Sequence, residues 1–266
     1  MDFRGGTDYT TGMKSASRLL PVLLLLAGCS TTPPGTIYQV STIDALLAGV
    51  YDGEVRFAEV MPHGDFGIGT FDALGGEMVA LDGHYFDVRF DGRVLPVDPA
   101  RRTPFSAVTY FEAGRSTPAL TATNLTQLTA LLDVSIAATN LPCAIRIDGR
   151  FHFIRTRSVP PQRPPYPPLA EVAKAQAVFE FHDVRGTLLG FRCPAWMKGV
   201  NVPGYHLHFL TADRTGGGHV LDVAFTNLVA GLDECHTVTV VLPGSKTFGA
   251  VNFNQDRSRE MERAEK

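Results

Sequence analysis

The chain has 266 residues, enough for one large domain or two modest ones, and 44% of them are hydrophobic. A formal net charge of -3 provides no basic excess for nucleic-acid binding, and no long acidic run indicates a disordered tail. The 26 glycines and 18 prolines favour a sheet-rich fold with many turns over a helix bundle.

The N-terminal segment has the pattern of an export signal. Lys14 and Arg18 precede an apolar run over residues 19–26, and the sequence "LAGC" ends at Cys29. The run is too short to span a bilayer, so we predict a signal peptide over residues 1–29, with translation starting at Met13. "LAGC" resembles the bacterial lipoprotein box. This implies a lipid anchor at Cys29 as the only membrane attachment and a periplasmic or cell-envelope location, with an ordinary signal or an anchor helix as alternatives.

Three cysteines follow the signal, namely Cys143, Cys193 and Cys235. Their odd number and wide spacing do not form a disulfide framework, and the sequence has no CxxC pair for a cysteine zinc site. We therefore expect buried free thiols, with one disulfide as the alternative in an exported protein.

The N-terminal part of the mature chain is predicted to be rich in strands. Residues 30–40 are interpreted as a tether, and Ser41 as the cap of a short helix. Strands and turns are expected over Glu54–Leu95, with a hairpin at Asp82-Gly83. An amphipathic helix is predicted over Thr123–Asp133.

A proline-rich segment, Val159–Leu169, is predicted to follow a second hairpin at Asp148-Gly149. The segment has six prolines in eleven residues, which predicts a linker or an extended strap because proline lacks the amide donor of a sheet. It divides an N-terminal β-sheet domain (41–158) from a C-terminal β-sheet domain (170–266) that ends in a charged, solvated or helical tail. Strands of the second domain are predicted at Ala177–His182, Thr187–Phe191, His206–Leu210, His219–Thr226 and Thr237–Leu242.

Three of the eight histidines lie in "GYHLHFLTADRTGGGHV", Gly204 to Val220. His206 and His208 are two residues apart in a predicted strand and therefore face the same side. If the hairpin closes near Asp213–Arg214, His219 lies opposite His208, with Cβ atoms about 5 Å apart. Three such imidazoles can hold one ion, best zinc but also other divalent metals, with open positions that suit catalysis. The alternative is three ordinary surface histidines.

Three stretches resemble the acetolactate decarboxylase family. They are "GDFGIGTFDALGGEMVALDGHYFDV" (Gly64 to Val88), "RTRSVPPQRPPYPPL" (Arg155 to Leu169) and "GTLLGFRCPAWMKGVNVPGYHLHFLTADRTGGGHVLD" (Gly186 to Asp222). The resemblance covers the chain from about Ile37 and implies an α/β (α+β-like) fold of two β-sheet-rich domains with few helices and a metal site at their junction. It implies decarboxylation of (S)-2-acetolactate to (R)-acetoin in acetoin biosynthesis, a zinc cofactor and a homodimer.

The same resemblance implies a set of site residues. The metal ligands would be His206, His208 and His219. The catalytic residues would be Thr70 in "GIGTF", Glu77 in "GGEMV", Arg157 in "RTRSV" and Glu265 in the tail, with Glu262 as the alternative to Glu265. Cys193 and Ala195 in "GFRCPAW" depart from the family pattern and affect no proposed ligand. Without the resemblance, Glu77 is a solvated turn carboxylate and Arg157 an edge-strand charge.

The implied chemistry is that of a β-keto acid with an α-hydroxyl group. A divalent cation that chelates the ketone and hydroxyl oxygens can store the electron pair left by carbon dioxide, so no thiamine or pyridoxal cofactor is expected. Arg157 is expected to hold the carboxylate first and to donate a proton second. Glu77 and the tail glutamate would orient the hydroxyl group or hold a proton.

Two other functions stay open at this point. The protein could be a zinc hydrolase in which the three histidines and Glu77 activate water, although the sequence has no HExxH helix. It could also be a lipoprotein that binds a metal or a small hydroxy acid. A hydrolase would cleave an ester or amide, and a binding protein would release no product.

Overall fold

The computed structural model describes residues 1–6 and 32–265. Apart from residues 1–6, the predicted signal peptide lies outside the described residues, together with Met13 and Cys29. Export and lipid attachment therefore stay predictions. Within residues 1–6 and 32–265, no helix has the length and apolar character needed to cross a membrane.

Strands dominate the described residues. In chain order they are β1 (Thr36–Val40), β2 (Val55–Arg56), β3 (Phe66–Thr70), β4 (Glu77–Leu81), β5 (His84–Val88), β6 (Val94–Pro96), β7 (Arg102–Thr103), β8 (Ser106–Thr109), β9 (Arg115–Ser116), β10 (Leu120–Ala122), β11 (Cys143–Ser158), β12 (Ala177–Cys193), β13 (Gly204–Thr211), β14 (Gly217–Leu228), β15 (Ala230–Glu234) and β16 (Thr237–Val241). The prediction of a sheet-rich fold is confirmed.

The helices are few and mostly short. They are α1 (Ile43–Leu47), α2 (Phe57–Val60), α3 (Leu125–Ser135), α4 (Leu169–Val172), α5 (Lys246–Gly249) and α6 (Ser258–Ala264). Single 3-10 turns lie at Met61–His63, Asp72–Leu74, Ala173–Ala175 and Ala195–Met197.

Two seven-stranded sheets carry the fold. The first sheet has the order β16-β1-β8-β3-β4-β5-β6, and the second has the order β10-β14-β13-β12-β11-β15-β9. In the second sheet β14 also pairs with β11, so that β11, β12, β13 and β14 close into a ring. One apolar core joins the sheets, since it contains Ile68 and Val79 of the first sheet and Leu189, Phe191 and Leu210 of the second.

The proline-rich segment does not separate the two sheets. Strand β11 precedes the segment and β12 follows it, yet the two strands pair along almost their whole length. The segment itself is an extended strap, held where Gln162 N donates to the carbonyl of Ala73 at 2.7 Å and Tyr51 Oη donates to Pro167 O at 2.8 Å. The domain boundaries proposed from the sequence stay a prediction.

Several local predictions are confirmed. Asp82 and Gly83 form a two-residue turn in which Leu81 pairs with His84, and both turn residues have positive φ angles of 52° and 76°. The helix predicted over Thr123–Asp133 is α3, whose Asn124 cap accepts a hydrogen bond from Gln127 N at 2.8 Å. All three cysteines after the signal are buried and free.

Other local predictions are wrong. Residues 36–40 of the predicted tether form β1, because Ile37 and Val40 are buried in the first sheet. Helix α1 is capped by Thr42 and not Ser41, which has a positive φ of 62°. The hairpin at Asp148-Gly149 does not form, since these residues pair with Thr187 and Gly186 inside continuous strands. For the same reason the predicted strands Ala177–His182 and Thr187–Phe191 are one strand, β12.

Phe151 of β11 offers a test of the core of the second sheet. Its ring is fully buried and packs edge-on against the rings of Phe209 and Phe225, with distances between ring centroids of 5.3 Å and 5.7 Å. We expect Phe151→Ala to lower the free energy of unfolding by about 3–5 kcal/mol in urea denaturation. Phe253, which is 44% exposed, provides the matched control, and Phe253→Ala should cost less than about 1 kcal/mol. Equal losses in the two variants would contradict this packing.

Candidate metal centre and active site

Three side chains stand opposite one another on neighbouring strands of the second sheet. Arg157 of β11 pairs with His219 of β14, and His219 pairs with His208 of β13. The predicted hairpin register between His208 and His219 is therefore confirmed. Directly opposed residues project to the same face of a sheet, and His206, two residues before His208, shares that face.

This face is turned toward the first sheet. Nδ1 of His208 lies 3.0 Å from the carbonyl oxygen of Met78 on β4, which fixes the ring and leaves Nε2 directed to the centre of the cluster. One ligand nitrogen from each of His206, His208 and His219 lies within 4.8 Å of the others. The group can therefore hold a metal ion.

The donor atoms themselves fit a metal ion. Nδ1 of His206, Nε2 of His208 and Nδ1 of His219 are buried and have no hydrogen-bond partner. Buried polar atoms are rarely left without a partner, so an unpartnered nitrogen on each of three clustered imidazoles fits a shared metal ion. Burial, followed by the charge of Arg157, lowers the pKa of His206 to about 3. Burial likewise holds the pKa values of His208 and His219 well below the usual range. All three rings are neutral near pH 7, the form that coordinates metals.

Two glutamates flank the histidines. Glu77 Oε2 lies 3.7 Å from His208 Nε2, and Glu265 Oε2 lies 3.6 Å from His219 Nε2. Burial raises the pKa of each carboxyl group to about 7, although the charge of Arg157 opposes the shift. Each group can therefore carry or release a proton near neutral pH.

Arg157 connects these carboxylates to the rest of the molecule. Its Nη1 donates to Glu77 Oε1 at 3.0 Å, and its Nη2 donates to the carbonyl of Ala264 at 2.7 Å, so one guanidinium holds the first sheet and the end of α6. Its Nε is buried and has no partner. That donor is available to an acceptor oxygen that enters the cavity.

Gly218 allows strands β11 and β14 to approach each other closely. Its φ is +129°, and a Cβ atom there would lie 2.5 Å from the carbonyl oxygen of Arg157. A side chain would therefore push β14 away from β11 directly before His219. The glycine run that makes the hairpin register hard to derive from sequence is thus a requirement of the site.

Thr70 lies on β3, opposite Glu77 of β4. Its Oγ1 donates to Gly76 O at 2.8 Å, which ties the backbone immediately before Glu77 to the neighbouring strand. The hydroxyl oxygen keeps its acceptor capacity and lines the same cavity as Arg157 and His219.

The structure brings together the residues that the sequence proposed. The cavity is bounded by Thr70, Glu77, Arg157, His206, His219 and Glu265, and His208 lies against Glu77. Glu262, the alternative to Glu265, is exposed on α6 and lines an outer cleft instead. The catalytic roles of these residues stay predictions.

Sequence reasoning missed the apolar wall of the cavity. It is formed by Ile43, Leu46, Leu74, Phe105, Val159 and Leu169, which come from α1, the strap and two other segments. These residues carry no motif, and only the tertiary fold brings them together. The backbone acceptors Met78 O and Ala264 O have no sequence signal either.

Comparison with known proteins places this site in a family. The family model described as "Alpha-acetolactate decarboxylase" matches residues 37–255. A curated relative of that name from Methanosarcina mazei is 45% identical over 264 residues, covering 99% of this chain and 91% of the relative. The Bacillus subtilis protein of the same name is 38% identical over 250 residues, covering 92% of this chain and 96% of the relative.

A solved structure shows the same fold. The X-ray structure of the Bacillus subtilis alpha-acetolactate decarboxylase superimposes with a TM-score of 0.83 at 37% sequence identity. The match covers 86% of this chain and 99% of that chain. The family match over residues 37–255 includes His206, His208 and His219.

The histidine cluster predicts a specific loss of metal. His208→Ala removes one of three ligands and leaves the Met78 carbonyl unused, so we expect metal binding at least about 100-fold weaker. The measurement is metal content per chain after dialysis, by inductively coupled plasma mass spectrometry. His84, which is exposed on β5, gives the control, and His84→Ala should retain the metal of the parent protein. Full metal content in His208→Ala would contradict the ligand assignment.

Proposed function

The chain belongs to the alpha-acetolactate decarboxylase family, and on that premise we propose a zinc-dependent conversion of (S)-2-acetolactate to (R)-acetoin and carbon dioxide. The observation that carries the proposal is the cluster of three unpartnered imidazole nitrogens beside an arginine with a free buried donor. This arrangement offers one position to a cation and another to a carboxylate. A β-keto acid with an α-hydroxyl group needs both.

Zinc is the metal that this donor set favours. Three neutral imidazoles match the ligands of catalytic zinc sites, in which at least one position stays open for substrate. Among residues 32–265 no cysteine joins the cluster, since Cys143, Cys193 and Cys235 lie elsewhere. When bound, the ion would supply a Lewis acid that chelates the ketone and hydroxyl oxygens of the substrate and accepts the electron pair left by carbon dioxide.

Arg157 orients the substrate carboxylate. Its Nε is the free donor, while Nη1 and Nη2 are held by Glu77 and the carbonyl of Ala264. Because both ends of the guanidinium are fixed, a carboxylate bound at Nε has a defined direction relative to the histidines. With Nη1 and Nη2 already committed to protein acceptors, Arg157 is assigned first to positioning of the carboxylate.

Protonation of the product carbon falls to the glutamate pair. Glu77 and Glu265 flank the histidine cluster on two sides, and burial raises the pKa of each to about 7. A carboxyl group with such a pKa holds a proton at its oxygen near neutral pH and can release it to a developing carbanion. The apolar wall of Leu46, Phe105 and Leu169 keeps bulk water from competing with this transfer.

The reaction itself provides the first test. Purified protein lacking residues 1–29 should form acetoin from racemic acetolactate, detected by a colorimetric assay. Chelation should abolish the product and zinc should restore it, because the histidines alone cannot store the electron pair. Turnover of esters or amides in place of acetolactate would indicate a hydrolase, and tight binding without product would indicate a binding protein. Either result would overturn the proposal.

Arg157 provides a second test. Arg157→Lys keeps the charge but cannot hold Glu77, Ala264 O and a substrate carboxylate together, so we expect kcat/KM to fall at least about 100-fold. Metal content should match that of the parent, since no ligand changes. Arg93, which is 63% exposed at its side chain, gives a matched control in Arg93→Lys. An active Arg157→Lys variant would refute the positioning role.

A further inference from the structure

A second cleft adjoins the cavity of the site at Glu265 of the tail. Glu265 lines the cavity and also this cleft, so the two spaces share one wall. The other cleft residues include Arg155, Asp222 and Tyr205. The cleft is the more open of the two spaces, and the cavity lies among the two sheets and the strap. A substrate that approaches from this side meets the cleft first.

Arg155 belongs to this cleft and has no role in the site described above. It lies two residues before Arg157 on β11, and the regular pairing of β11 with β12 puts both arginines on one face. Their Cα atoms are therefore about 7 Å apart along the strand. One arginine stands in the cavity and the other in the cleft outside it.

The guanidinium of Arg155 lacks a protein partner. Among residues 1–6 and 32–265 it makes no hydrogen bond or ion pair, and its Nε is buried without an acceptor. Its cross-strand neighbours are Glu180 of β12 and Asp222 of β14, and neither forms an ion pair with it. Asp222 Oδ1 instead accepts from Leu125 N at 2.9 Å and from Val223 N at 3.0 Å. Tyr205 Oη donates to Asp133 Oδ1 at 2.7 Å. A buried donor without a protein partner indicates that a ligand accepts its hydrogen bond.

We propose that Arg155 binds the carboxylate of the incoming substrate in this cleft, before the carboxylate passes Glu265 and reaches Arg157. The ligand class is a small 2-hydroxy carboxylate, and its identity as acetolactate rests on the proposed function. The cleft otherwise presents the carboxylate of Asp222, which repels an anion. Arg155 therefore supplies the charge that makes entry from this side favourable.

Steady-state kinetics on the metal-loaded protein test this role. We expect Arg155→Gln to lower kcat/KM about tenfold and to leave kcat within about twofold, because the charge acts on entry and binding and not on the reacting atoms. Arg155→Lys should keep most of kcat/KM. Arg150, which lies on the same strand with a side chain 59% exposed, gives the control Arg150→Gln with no change. An unchanged kcat/KM, or a fall in kcat alone, would overturn the proposal.

Salt dependence separates an electrostatic role from a structural one. The kcat/KM of the parent protein should fall as sodium chloride rises from 20 to 500 mM, a range over which the Debye length shrinks from roughly 20 to 4 Å. The slope of kcat/KM against salt concentration should be smaller in Arg155→Gln. A purely structural loss would lower kcat/KM equally at every salt concentration, and parallel slopes would refute the proposal.

A direct binding measurement keeps this proposal distinct from the proposed function. The probe is 2-hydroxy-2-methylpropanoate, which carries the hydroxyl and carboxylate groups but has no ketone and cannot react. Calorimetry should give a Kd about fivefold higher for Arg155→Gln than for the parent. Failure of the parent to form acetoin would overturn the proposed function alone. Equal probe affinity in the two proteins, or no binding to the parent, would overturn the role of Arg155 alone.

Discussion

Arg157, His219 and His208 stand side by side on β11, β14 and β13, and their pairing fixes the geometry of the whole site. A shift of one residue in either pair would turn a side chain to the opposite face of the sheet. Gly218 lets β14 approach β11 at that point, and Met78 of the first sheet accepts the hydrogen bond that orients His208. The ring of four strands therefore acts as a rigid frame for the site.

A buried positive charge explains why other parts of the chain converge here. An isolated buried guanidinium is costly, so Arg157 requires Glu77 from the first sheet and the Ala264 carbonyl from the tail. The neutral histidines add no charge. A divalent ion and Arg157 would give the site a positive charge that offsets the carboxylate of the substrate, while a glutamate that holds a proton adds no charge.

The sequence predicted the parts of this site that depend on local pattern. The alternation of His206 and His208, together with a hairpin that closes near Asp213–Arg214, predicts His219 opposite His208, and the structure pairs these two residues. The pairing of Arg157 with His219 joins strands more than sixty residues apart, and no periodicity in the sequence predicts such a contact.

The turn predicted at Asp148-Gly149 is wrong, because pairing with the neighbouring strand β12 decides the conformation of these residues. Asp148 accepts from Thr187 Oγ1 at 2.6 Å across the sheet, which holds it in an extended strand. The positions of Glu77 and Glu265 came from family resemblance, since a turn carboxylate and a tail carboxylate carry no signal of burial.

The central claim is that three imidazoles, from His206, His208 and His219, bind the catalytic ion. X-ray absorption spectroscopy at the zinc edge of the purified, active protein tests it most directly. We expect about three imidazole nitrogens at about 2.0–2.1 Å, completed by oxygen ligands, with no sulfur in the shell. A zinc–sulfur distance of about 2.3 Å, or a shell without imidazole scattering, would contradict it.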